Sequence, residues 1–90
     1  MAKAKRWKVS DIVAASLGEG AAASVVAEAS WMRGSDVSDD SVLAELFERF
    51  PVTMSRTCGV NESAWWRMTH EQRCNALVAT ARRLNVPMNG

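Results

Sequence analysis

The chain has no tyrosine, one histidine, two cysteines and two prolines among its 90 residues. Two cysteines, Cys58 and Cys74, cannot build a disulfide framework, so the fold must come from core packing; both fall on apolar helix positions and are expected as buried free thiols in a reducing compartment. No apolar run approaches the roughly 20 residues that span a bilayer. Behind a basic start, Asp11 and then Glu19 with two glycines break up an alanine-rich stretch, so no secretory signal is expected. Period-two alternation long enough for a strand is missing, as are internal repeats and low-complexity tracts. These absences lead to an expectation of a cytoplasmic, all-α protein with no membrane partner.

What is present fits one small globular domain. Apolar residues make up 48% and charged residues 23% of the chain, which excludes a disordered protein. A chain of this length buries only about 60–65% of the surface its unfolded form exposes, so the core is modest. The aromatic set of four Trp and two Phe is uneven, and each ring should matter for packing or contact. The expected architecture is a compact bundle of five or six short helices. It comprises a basic arm over residues 1–8, a helical domain over 9–86 and a tail over 87–90.

Charge is distributed in blocks although the net charge is only +1. Lys3, Lys5, Arg6 and Lys8 give the first eight residues +4. Residues 9–48 set Arg33 against Asp11, Glu19, Glu28, Asp36, Asp39, Asp40, Glu45 and Glu48, for −7. Residues 49–90 return to +4, with six arginines against Glu62 and Glu71. A polyanion would meet the basic ends and avoid the middle, although solvated helix faces produce the same pattern.

Helix punctuation is clear along the chain. Ser10 is placed as an N-cap with Asp11 in the first turn, and Gly18 closes a short helix. A second helix is expected from about residue 21 to 33, on a face of Ala22, Val25, Val26, Ala29 and Met32, closed by Gly34. The alternative is one long helix weakened at Gly18 and Gly20 by about 1 kcal/mol each; two helices are preferred. Val42, Leu43, Leu46, Phe47 and Phe50 form the strongest apolar stripe. Pro51 ends that helix and opens the next. Thr69 and Gln72 form a capping box ahead of a last helix carrying Cys74, Leu77, Val78, Ala81 and Leu84 on one face; Asn85 and Pro87 stop it.

Residues 51 to 68 carry the grammar of a helix-turn-helix. Met54 and Cys58 are the apolar residues of a first helix, Ser55 is the small contact, and Gly59 is the turn. Val60 follows the turn, and Trp65 and Met68 face inward from a second helix. Within it, Cys-Gly-Val-Asn-Glu-Ser resembles the Gly-Val-Asp/Asn-x-Ser turn of small phage and bacterial regulators such as the lambda CII and Cro-like proteins. Ser55 stands where that family usually has Ala, and Trp65 where it has Ile or Val. The indole either fills a wider gap or marks a different helix crossing.

The resemblance implies double-stranded DNA as partner, with the second helix in the major groove. Asn61, Glu62, Ser63, Trp66 and Arg67 would then face the groove, Arg67 pairing with guanine, while Lys3, Lys5 and Arg6 act as an arm on phosphates or in the minor groove. A homodimer is expected, since one short recognition helix gives little affinity alone. The competing expectation is a protein-binding module that docks on a larger protein through Trp66, Trp31, Asp39 and Asp40. Adjacent helical residues point about 100° apart, so one of Trp65 and Trp66 is expected inside and the other partly exposed.

Chemistry has little support in the sequence. His70-Glu71-x-x-Cys74 lacks the second histidine of a zinc helix, and no third ligand is spaced to help. A Cys–His nucleophile is not expected either, with Cys74 placed on the apolar face of its helix. There is no glycine-rich phosphate loop. The expected protein is no enzyme and takes no metal, cofactor or small-molecule substrate.

Overall fold

The computed structural model describes residues 7–88, and there the apolar spacing becomes helices throughout. In order they are α1 (Val9–Leu17), α2 (Glu19–Glu28), a 3-10 turn (Ser30–Met32), α3 (Asp40–Arg49), α4 (Pro51–Thr57), α5 (Glu62–Arg67) and α6 (His70–Arg83). Among the described residues there is no strand, only an isolated antiparallel bridge between Lys8 and Asp36. No helix among them is long and apolar enough to cross a membrane.

Gly18 separates α1 from α2 with φ +103°, a value L side chains rarely adopt, and the two-helix alternative holds. Ile12 and Val13 of α1 are buried together with the small Ala22 and Val25 of α2, which lets the two helices pack closely. The boundaries differ from expectation in three places. The first helix opens at Val9 rather than after a Ser10 cap, because the Val9 N–H finds its acceptor in the Ser35 carbonyl at 3.1 Å. The second takes in Glu19 and Gly20, ahead of the expected start near residue 21. It also stops at Glu28 instead of reaching Arg33: Ala29 leaves the helix at φ −124°, ψ 61°, and the 3-10 turn follows. Ala29 and Met32 nevertheless remain buried, so the apolar face is kept on a different backbone path.

The core gathers Leu43, Leu46 and Phe47 of α3, Met54 of α4, Trp65 of α5, and Leu77 and Ala81 of α6. Trp7, which falls within the expected basic arm, is buried. Its Nε1 donates to the Val86 carbonyl at 2.8 Å, its own carbonyl accepts from the Val37 N–H, and the Arg82 guanidinium lies 5.6 Å from its ring centroid. The expected basic arm is therefore anchored at its inner end, and Lys3, Lys5 and Arg6 lie outside the described residues.

Asn85 and Val86 finish α6 in a Schellman arrangement. Asn85 takes φ +55°, its N–H donates to the Arg82 carbonyl, and the Val86 N–H donates to the Ala81 carbonyl at 2.9 Å. The capping box at the other end is complete: Thr69 Oγ1 accepts from the Gln72 N–H, and Gln72 Oε1 accepts from the Thr69 N–H.

Candidate nucleic-acid interface

Pro51 stands at the first position of α4, where its missing N–H is no loss. The helix ends in a second Schellman arrangement around Gly59, at φ +69°: Gly59 N–H donates to the Arg56 carbonyl and Val60 N–H to the Ser55 carbonyl. Ser55 is buried, with its hydroxyl returned to the Val52 carbonyl at 2.9 Å. From α1, Ser16 Oγ donates to the Thr57 carbonyl at 2.8 Å, satisfying an acceptor that the end of α4 would leave open. The chain thus bends at one glycine and enters α5 in a fixed direction.

Asn61 caps α5. Its Oδ1 accepts from the Ala64 N–H and from Ser63 Oγ, both at 2.9 Å. That oxygen is committed, so toward an external partner Asn61 presents its amide donors, not the donor-acceptor pair that reads adenine. Glu62 accepts from Trp66 Nε1 at 3.4 Å, one turn along the helix. Asn61, Glu62, Ser63, Trp66 and Arg67 are all exposed, and no ion pair holds Arg67 among the described residues.

The two adjacent indoles divide as their helical geometry requires: Trp65 is 0% exposed and Trp66 52%. Trp65 meets the Phe47 ring edge-on, with centroids 5.4 Å apart and planes at 87°. The large ring thus reaches across to α3, filling space that a β-branched residue would leave empty. Its Nε1 is buried without a hydrogen-bond partner. Arg73 donates through Nε and Nη2 to the Trp65 carbonyl at 3.0 and 2.8 Å. Its guanidinium also lies 5.2 Å from the Trp65 ring and 5.5 Å from that of Trp66. The only sequence signal was a cation near the end of a preceding helix, where open carbonyls favour one.

The residues named for a protein-docking surface are less uniform. Trp31 is 41% exposed. Asp39 is exposed, and its Oδ2 accepts from the Asp36 N–H at 2.9 Å. Asp40 stands beside His70, Oδ1 to Nε2 at 3.6 Å.

His70 and Cys74 do converge, contrary to expectation, with Sγ 3.4 Å from Nε2. Cys74 is half-buried, not sunk in the core, and residues four apart on a helix share a side. With Asp40 they form the group of donors among the described residues that could hold a metal ion, so the third ligand absent from the local sequence spacing comes from α3. The other thiol, Cys58, is also half-buried. Burial pushes it up to about 11, against smaller opposing effects of a Thr80 hydrogen bond and the Arg83 charge. A thiol so protonated is no nucleophile.

No protein-family model, curated protein or solved structure matches the chain.

Proposed function

We propose that the protein is a small DNA-binding regulator that presents α5 to the major groove of double-stranded DNA. One observation carries the proposal: behind a left-handed glycine, α5 buries Trp65 and leaves Asn61, Ser63, Trp66 and Arg67 in solvent. In this reading Arg67 pairs with a guanine edge, Asn61 donates its amide N–H to phosphate or base acceptors, Ser63, whose proton is given to Asn61, accepts from a base amino group, and Trp66 contributes apolar contact. Lys3, Lys5 and Arg6 add phosphate contacts as an arm. Six residues of helix give a short reading head, so a second copy on an adjacent half-site is part of the proposal. Half-sites one helical turn apart are separated by about 34–36 Å, which exceeds the narrower molecular dimensions of 25 and 24 Å and leaves room for two copies side by side.

The alternative, docking on a larger protein, draws on the exposure of Trp66 and Trp31, since exposed indoles serve as interface anchors. A salt titration against random duplex DNA separates the two. DNA binding driven by counterion release falls steeply as salt rises, in proportion to the phosphates neutralised. Absence of binding even at low salt would refute the DNA reading and leave the indole surface as the protein's contact.

A further inference from the structure

From the convergence of three donors at the start of α6, we infer that Asp40, His70 and Cys74 bind a single divalent cation of the zinc class. Each residue offers one ligand atom, and the three atoms lie within 4.8 Å of one another. Tetrahedral zinc, with bonds of about 2.3 Å to sulfur and about 2.0–2.2 Å to nitrogen and oxygen, places its ligands about 3.6 Å (N to S) and about 3.4 Å (N to O) apart. The observed separations are 3.4 Å for His70 Nε2 to Cys74 Sγ and 3.6 Å for His70 Nε2 to Asp40 Oδ1. Thiolate, imidazole and carboxylate together favour zinc over magnesium or calcium, which take oxygen ligands.

A catalytic relay would need the thiol and the carboxylate on different ring nitrogens. Here both approach Nε2, the arrangement of ligands around one centre. The imidazole is positioned by its neighbours: the Phe47 ring packs against it at 5.6 Å between centroids, and the capping box holds the first turn of α6. Burial, and then the Asp40 and Glu71 charges, raise the Cys74 thiol above its usual range. The same two carboxylates attract a dication, and on binding the thiol proton leaves to solvent as the metal–sulfur bond forms. Two residues come from α6 and one from the first position of α3, so the ion ties the starts of two helices together. Three protein ligands leave a fourth position for water.

Titrating the full, reduced chain with cobalt(II) alone tests the site through the thiolate-to-cobalt charge-transfer absorption, and zinc should displace the cobalt. Cys58→Ser should keep the band, Cys74→Ser should abolish it, and Asp40→Asn and His70→Asn should each weaken binding at least tenfold. Far-UV circular dichroism confirms that each variant is folded. Zinc should also raise the melting temperature of the parent chain in a concentration-dependent way, and not that of Cys74→Ser. No band in the parent, a band that survives Cys74→Ser, or titrations unchanged by Asp40→Asn or His70→Asn would overturn the site. None of these readouts involves DNA, so the two proposals stand or fall separately.

Discussion

Arg73 holds the carbonyl of Trp65 in a two-pronged grip, Nε at 3.0 Å and Nη2 at 2.8 Å, across the junction between α5 and α6. The contact caps the end of one helix with a cation from the next, and its guanidinium lies close to both neighbouring indole rings. The orientation of α5 therefore depends on a residue that does not belong to its exposed face.

Replacing Arg73 by Gln should lower stability by about 1.5–3 kcal/mol, the range for hydrogen bonds involving a charged group. Lysine keeps the charge and loses the fork, so Arg73→Lys should recover less than half of that loss. Urea denaturation measures both. Because Trp65 loses its cover, its resolved indole Nε1–H resonance in Arg73→Ala should exchange with solvent faster than in the parent chain. An unchanged exchange rate would mean that Arg73 does not hold the ring in place.

Gly59 is demanding through its backbone alone. At φ +69°, with nothing within 4 Å of an added Cβ, an alanine would meet strain and no clash. Gly59→Ala should cost about 1–2 kcal/mol, the penalty for a left-handed L-residue. Asparagine tolerates that region better, so Gly59→Asn should cost about half as much or less. A denaturant series with matched m-values checks the pair.

The parts that could be read from the sequence are the local ones. Pro51, Gly59, the Thr69–Gln72 box and the Asn85 stop each act within one turn of backbone, and all stand where the residue types placed them. The division of Trp65 from Trp66 follows from helical angle alone. What could not be read depends on distant partners. Alanine is the best helix former, yet Ala29 breaks α2, because tertiary packing of Met32 overrides propensity. Trp7 finds its acceptor 79 residues away, and Asp40 meets His70 from another helix. The approach of His70 to Cys74 follows the i, i+4 rule, and Cys74 is half-buried at the edge of the apolar face of α6, within reach of both core and imidazole.

Cys58 gives a pH dependence with a definite sign. Its thiol titrates near the ordinary 9.0 when the chain unfolds and near about 11 in the fold. Between those values the unfolded state has released a proton that the native state retains, so rising pH favours unfolding. The contribution is complete below about pH 9 and is lost through about pH 11, amounting to about 1–2 kcal/mol after allowance for the group's partial exposure. Chemical denaturation of the parent and of Cys58→Ala at pH 8 and pH 10.5 should show the parent losing more. Parallel losses in the two proteins would remove Cys58 as the cause.

Arg67 is the sharpest test of the DNA reading, because its side chain stands in solvent and no ion pair among the described residues depends on it. Truncation to alanine should therefore leave the melting temperature nearly unchanged, while a bidentate pair with guanine is worth about 1–3 kcal/mol of discrimination. Against a selected duplex site, Arg67→Ala should weaken binding roughly 5- to 150-fold and relax the preference at one base position, the signature of a base contact. Lysine in its place would keep the phosphate attraction and lose the fork, so Arg67→Lys should retain non-specific affinity and still lose selectivity. If the loss is uniform across sequences and the salt slope falls by about one, Arg67 is instead a phosphate contact and the base-reading residues lie elsewhere. Affinity unchanged by either substitution would remove α5 from the interface.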